Sequence, residues 1–102
     1  MKILLLCFGG WSSSILAKKI EDCLKGRNIE AKVSTAPLEV GMSQMKDCAA
    51  VMIAPQVRHM SSAMHDLSKK TGTPVLDISM QEYQGLNIDK LVDRLLESIK
   101  AV

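Results

Sequence analysis

The stretch "CFGGWSSS", residues 7–14, gathers the groups best suited to chemistry: one thiol at Cys7, two glycines at Gly9 and Gly10, and three hydroxyls at Ser12, Ser13 and Ser14. It follows the apolar run "KILLL" and precedes a segment of helical periodicity, which makes it the loop between a buried strand and a helix start. Such a loop offers unpaired backbone N–H groups and the positive end of a helix dipole, and together these form a site for an anion. Gly9 and Gly10 allow a positive φ and a close approach of backbone to ligand, while the serines cap the helix or donate to anion oxygens. A thiolate on Cys7 is stabilised by the same ring of donors. A nucleophile in a phosphate cradle points to a phosphoryl group received on sulfur. Residue types alone leave a bland alternative open, because a cysteine at a strand end also serves as a small buried hydrophobe and a Gly/Ser loop is also an ordinary turn.

The other reactive residues form no second constellation. Cysteines at 7, 23 and 48 are odd in number and widely spaced, so they make neither a disulfide framework nor a zinc pattern, and His59 and His65 add no ligand spacing. No metal or cofactor is expected. Cys23 and Cys48 fall on apolar faces and are expected in the core, as are the seven methionines. Solvated surface is the default for both histidines, although His59 falls on a loop expected beside the cysteine loop.

At 102 residues the chain is expected to be one domain, residues 1–102, with a single core. Apolar residues make up 47% of it and aromatics only 3%, so that core must come from Leu, Ile, Val, Ala and Met. A net charge of +2, with no Lys/Arg cluster interleaved with aromatics, gives no sign of nucleic-acid binding. The apolar start "MKILLLC" stops after about five residues, too short for a signal peptide. No window approaches the roughly 18 apolar residues of a membrane span. A cytoplasmic location without direct membrane insertion is the expectation.

Strand and helix alternate along the chain. Ile3 to Leu6 is an apolar run of the kind covered on both faces, and a helix fits from about Ser12 to Lys25 with Gly26 as its stop. Glu30 to Thr35 alternates as a second strand, and "CAAVMIA", Cys48 to Ala54, is a second continuous apolar run ended by Pro55. Pro37 to Met45 is ambiguous between a short helix interrupted by Gly41 and a loop. Val57 to Lys70 has helical spacing closed by Gly72, and Pro74 to Ile78 is a fourth strand. The last helix, with Leu91, Val92, Leu95, Leu96 and Ile99 on one side and Asn87 as its cap, is the most legible element. The expected fold is therefore α/β, an open parallel sheet of four strands with helices on both faces. Right-handed crossovers favour the order 2-1-3-4. Ligands of such sheets bind at the carboxyl ends of the strands where the winding reverses, and Cys7 and Pro55 both fall there.

"ILLLCFGGWSSSILAKKI" resembles the active-site segment of the lactose/cellobiose-type IIB components of the bacterial phosphoenolpyruvate-dependent sugar phosphotransferase system, usually C-x-x-G-M-S-T-S after an apolar strand. "VMIAPQVRHM" resembles the same family's third strand and following loop, usually G-P-Q-[IV]-x-Y. The resemblance covers essentially the whole chain and implies a flavodoxin-like, phosphatase-like architecture. It implies that Cys7 is the phosphorylated residue, that Gly10, Ser12 and Ser14 surround the phosphoryl group, and that Pro55 and Gln56 form the neighbouring loop; the expected site also takes in Phe8, Gly9, Trp11 and Ser13 of the cradle and His59 of the neighbouring loop. Implied partners are a IIA phosphohistidine protein as donor and a membrane IIC permease that carries the sugar, implied to be a β-linked disaccharide or oligosaccharide. Trp11, Ser13, Ala54 and His59 stand where Met, Thr, Gly and Tyr are common.

Two rival readings share the loop. A low-molecular-weight tyrosine phosphatase-like hydrolase needs C-x5-R-[ST], and the count from Cys7 puts Ser13 where the arginine should be. Without a guanidinium the transition state loses its main clamp. Asp77 is the residue that would imitate the general acid of such an enzyme. An anion-sensing regulatory module would use the backbone donors without the thiol. Dinucleotide and Walker sites are excluded, since neither G-x-G-x-x-G nor G-K-[ST] is present.

Overall fold

The computed structural model describes residues 1–7 and 11–100. Because Ile3 to Leu6 carry no polar side chain to present to water, strand β1 (Lys2–Leu6) is driven to the centre of a sheet, and all four of these residues are buried. The same holds for β3 (Ala50–Ile53), buried at every position. With β2 (Lys32–Ala36) and β4 (Val75–Asp77) outside them, the strands form one parallel sheet in the order β2-β1-β3-β4. The fold class and strand order agree with the sequence-based expectation.

Helix α1 (Trp11–Gly26) lays Leu16, Ala17, Ile20 and Leu24 into the core. The last helix, labelled α5 below (Ile88–Lys100), buries Leu91, Val92 and Leu95 and packs against α1. Between them come α2 (Leu38–Gln44), α3 (Ser61–Thr71) and a four-residue helix α4 (Met80–Tyr83). Helix α3 packs against β4 and against the 3-10 turn Met45–Asp47 that continues α2, which makes a second helical layer.

The differences from expectation have local causes. The helical segment expected from Val57 is two pieces, a 3-10 turn at Pro55–Met60 and then α3, parted where Met60 leaves helical geometry (φ −97°, ψ 5°); the turn is itself kinked at the buried Val57 (φ −114°, ψ 18°). Gly72 closes α3 with φ 77°. Asn87 does precede α5, but with a left-handed φ of 58° that asparagine tolerates, and its carbonyl accepts from Leu91 N–H at 3.2 Å. Met45, Met52 and Met64 fill the core, whereas Met1, Met42 and Met80 are exposed. The latter two belong to the short helices α2 and α4, which have only one face against the body of the protein. Cys48 is buried, and Cys23 is half-buried at the edge of the core.

Gly41 does not interrupt α2; the helix runs through it. A Cβ there would lie 2.2 Å from Leu6 Cδ2 and 3.0 Å from Leu6 Cγ, so the missing side chain is what lets α2 rest directly on the last residue of β1. Gly41→Ala is therefore expected to lose stability despite a helix-propensity gain of about 1 kcal/mol, because overpacking a closed core costs about 1–3 kcal/mol. A lower urea midpoint with unchanged slope is the expected result, and a raised midpoint would show that Leu6 yields freely.

Candidate functional site

Three backbone hydrogen bonds set the carboxyl edge of the sheet. Cys7 N–H donates to Ala36 O at 3.2 Å, Ala54 N–H to Leu6 O at 3.0 Å, and Ile78 N–H to Ile53 O at 3.0 Å. Each extends a ladder one residue past its strand, so Cys7, Ala54 and Ile78 stand side by side along one edge. Cys7 directly follows β1, the strand flanked by β2 on one side and β3 on the other, the place where open α/β sheets bind ligands. The Cys7 side chain is 2% exposed. The amino end of α1 follows closely, and the first turn of this helix holds no acidic side chain to oppose an anion.

Phe8, Gly9 and Gly10, and the side chains of Trp11 and Ser12, lie outside the described residues. Ser13 is buried, and its hydroxyl pairs with the Tyr83 phenol at 2.7 Å. Ser14 is exposed and lines a groove with Lys18 of α1 and with Ser34 and Thr35 of β2. Pro55, half-buried, opens the 3-10 turn after β3, with Gln56 and His59 exposed on it. His59 also borders a cleft of about 610 Å³ together with Arg58, Asp77, Glu82 and Arg94. The Asp77 carboxylate is already committed, accepting from Ser61 Oγ at 2.8 Å and pairing with His65 Nε2 at 2.8 Å. His65 is thus a partner of Asp77 rather than merely solvated surface.

The two other thiols are set for packing. Burial pushes Cys48 up, with Asp47 adding and Lys2 opposing, and its S–H donates to Gln44 O at 3.3 Å. Cys23 is also pushed up, by burial first and then by Asp89, whose carboxylate accepts from it at 3.2 Å. A raised thiol is a poorer nucleophile at neutral pH. Among the described residues no three His, Cys, Asp or Glu side chains come together to hold a metal ion, and no helix is long and apolar enough to cross a membrane.

Sequence reasoning missed α4 and the residues it brings to this edge. Ser79 caps it with a reciprocal box, Ser79 Oγ accepting from Glu82 N–H at 3.1 Å and Glu82 Oε1 accepting from Ser79 N–H at 2.9 Å. The S-x-x-E spacing of "SMQE" is a legible sign of that cap. Arg94 of α5 donates through Nη1 to both Glu82 oxygens, one at 2.6 Å, and through Nη2 to Asp77 O at 3.2 Å. It ties α4 and the end of β4 together.

Residues 2–94 match the family described as "PTS system, Lactose/Cellobiose specific IIB subunit". A curated relative, the "PTS system lactose-specific EIICB component" of Lacticaseibacillus casei, is 27% identical over 81 residues, 79% of this chain but 14% of that protein. The chain thus spans a small part of that relative's length. Among solved structures, the lactose-specific IIB component domain of Streptococcus pneumoniae superposes with a TM-score of 0.83 at 23% identity, covering 96% of both chains. The cellobiose-specific IIB component protein of Borrelia burgdorferi gives a TM-score of 0.77 at 27% identity, covering 99% of this chain and 93% of that one.

The Glu82 clamp has a pH signature. Burial pushes the Glu82 carboxyl up, but hydrogen bonds from Arg94 and from Ser79 outweigh it and hold the group below the ordinary carboxylate range. A lowered folded-state value means that the stabilisation is fully present above the unfolded value of about 4.3 and is lost as pH falls through the folded one. Glu82→Gln is expected to be less stable than the parent by about 1–3 kcal/mol at pH 7, with the gap closing below about pH 4. Urea unfolding from pH 3 to 7 measures this, and a gap independent of pH would disprove it.

Proposed function

Because the chain belongs to the lactose/cellobiose-specific IIB subunit family of the phosphotransferase system, we propose that it is a cytoplasmic phosphocarrier that receives a phosphoryl group on Cys7 and passes it to a sugar. The observation that carries this reading is the position of Cys7 at the carboxyl end of the central strand β1, shortly before the amino end of α1. In the first step the Cys7 thiolate attacks phosphorus in line, the S–P bond forming as the N–P bond to a IIA phosphohistidine breaks. In the second step a sugar hydroxyl attacks the same phosphorus, its proton goes to solvent or a neighbouring base, and the thiolate leaves. The donor ring proposed around the group comprises Phe8, Gly9, Gly10, Trp11, Ser12, Ser13 and Ser14, with Pro55, Gln56 and His59 at its rim. Ser13 contributes through its backbone N–H, since its hydroxyl is engaged by Tyr83.

The partners follow from the same reading. The IIA donor is implied by membership of the family, and the Lacticaseibacillus casei relative, an EIICB component, supports a membrane IIC partner that binds the sugar. We take residues 1–102 as one IIB domain acting on a sugar of the lactose or cellobiose class, without a cofactor.

The phosphatase reading is disfavoured by two placements. The position where that enzyme class keeps its arginine carries a serine whose hydroxyl is buried against Tyr83, and the carboxylate of Asp77 is taken up by Ser61 and His65. Backbone donors without a guanidinium hold a phosphoryl group while leaving its hydrolysis slow.

Incubation with phosphoenolpyruvate and the upstream phosphocarriers, followed by intact mass and mapping, is expected to add one phosphoryl group at Cys7. Cys7→Ser should abolish it with the fold intact, while Cys23→Ser and Cys48→Ala should retain it. Phosphate found on a histidine, or activity kept in Cys7→Ser as an anion sensor would keep it, refutes the proposal. Rapid Cys7-dependent hydrolysis of an aryl phosphate would return the phosphatase reading.

A further inference from the structure

Among the described residues only two polar side chains are buried, and each is held by one bond across the fold. Thr73 Oγ1 donates to Met45 O at 2.7 Å, which joins the turn before β4 to the turn before β3. The other is the Ser13 hydroxyl, paired at 2.7 Å with a phenol seventy positions away, the sequence separation being 70. A serine in the first turn of a helix ordinarily bonds its own backbone or faces water. Here the hydroxyl is 1% exposed, and leaving it unpaired would carry the full desolvation penalty.

We infer that Tyr83 is a positioning residue for phosphoryl transfer: through Ser13 it fixes where the first turn of α1 sits relative to the end of β1. The inference rests on the phosphocarrier reading above. Two kinds of contact locate α1. Its apolar face, Leu16, Ala17, Ile20 and Leu24, holds the helix to the sheet, but apolar burial has no direction and tolerates small slides along the axis. A hydrogen bond between two hydroxyls is short and directional, and this one acts on the turn whose N–H groups would meet the anion.

The other end of the bond is anchored. A helix of four residues has no stability of its own, and α4 persists because Ser79 caps it and Arg94 grips Glu82, the residue next to Tyr83. Arg94 also holds Asp77 O, the end of β4. The path therefore runs from β4 through Arg94, Glu82 and Tyr83 to Ser13 in the first turn of α1. Constellations of this kind need positions held to about 0.5 Å, and a slip of about 1 Å costs on the order of a hundredfold in rate.

The test is a double-mutant cycle on acceptance of phosphate from phosphoenolpyruvate through the upstream phosphocarriers, followed by intact mass at several donor concentrations. Tyr83→Phe and Ser13→Ala each delete one oxygen and keep the packing. Each is expected to lower the saturated rate about three- to tenfold, with the half-saturating donor concentration changed less than about twofold. The double variant should be within about twofold of either single one, and Ser13→Thr, which keeps the hydroxyl, should recover the rate. A merely structural bond would lower the melting temperature and leave the saturated rate alone, and that result overturns the inference. So does a pair of losses that multiply in the double variant. A parent protein that takes no phosphate on Cys7 overturns the phosphocarrier reading itself, and the inference with it.

Discussion

Everything at the carboxyl edge depends on one constraint, the burial of Ile3 to Leu6 of β1 between two neighbouring strands. A strand with no polar side chain from Ile3 to Leu6 has no stable place except the interior of a parallel sheet, and right-handed crossovers then send the chain to opposite sides of it. The residue after such a strand must emerge where the two windings part. That residue is Cys7, and its ladder bond to Ala36 holds it level with Ala54 beyond β3. The position of the thiol is thus a consequence of hydrophobic patterning several residues away.

A second layer of constraints keeps that edge from loosening. Gly41 removes a side chain so that α2 can rest on Leu6, immediately before the thiol. On the other side Arg94 reaches from α5 to the end of β4 and to Glu82. The two devices differ in kind, one a close apolar contact and the other a charge-assisted set of hydrogen bonds. The remaining cysteines sit outside both, one near Gln44 and one near Asp89, each with its thiol held away from the ionised form.

The main architecture was legible because its signals are local. The apolar runs at Ile3–Leu6 and Ala50–Ile53, the 3.6-residue stripe of Leu91, Val92 and Leu95, and Gly72 after α3 each speak for their own neighbourhood. The place of Cys7 at the carboxyl edge was legible for the same reason, since it directly follows the first of those runs. Helix α2 was ambiguous because Gly41 reads as a breaker until Leu6 is brought beneath it, a contact between residues 35 positions apart in sequence. The pairing of Ser13 with Tyr83 was illegible, because nothing near either residue predicts it. The cap at Ser79 is the exception, a local S-x-x-E signal attached to a helix of four residues, too short to carry a periodic stripe beside it.

Helix α4 brings a different property to the molecule. It is the shortest α-helix among the described residues, buries no side chain completely, and is held by a few polar bonds and the partly buried Tyr83 rather than by a broad apolar face. Elements of that kind open by themselves, at free energies well below that of global unfolding, whereas β1 and β3 open only with the whole domain. Amide hydrogen exchange should therefore divide this small fold into two populations, a slow centre and a fast rim. The rim contains the tyrosine that reaches Ser13, so the stiffness of the first turn of α1 varies with a local equilibrium that leaves the core untouched.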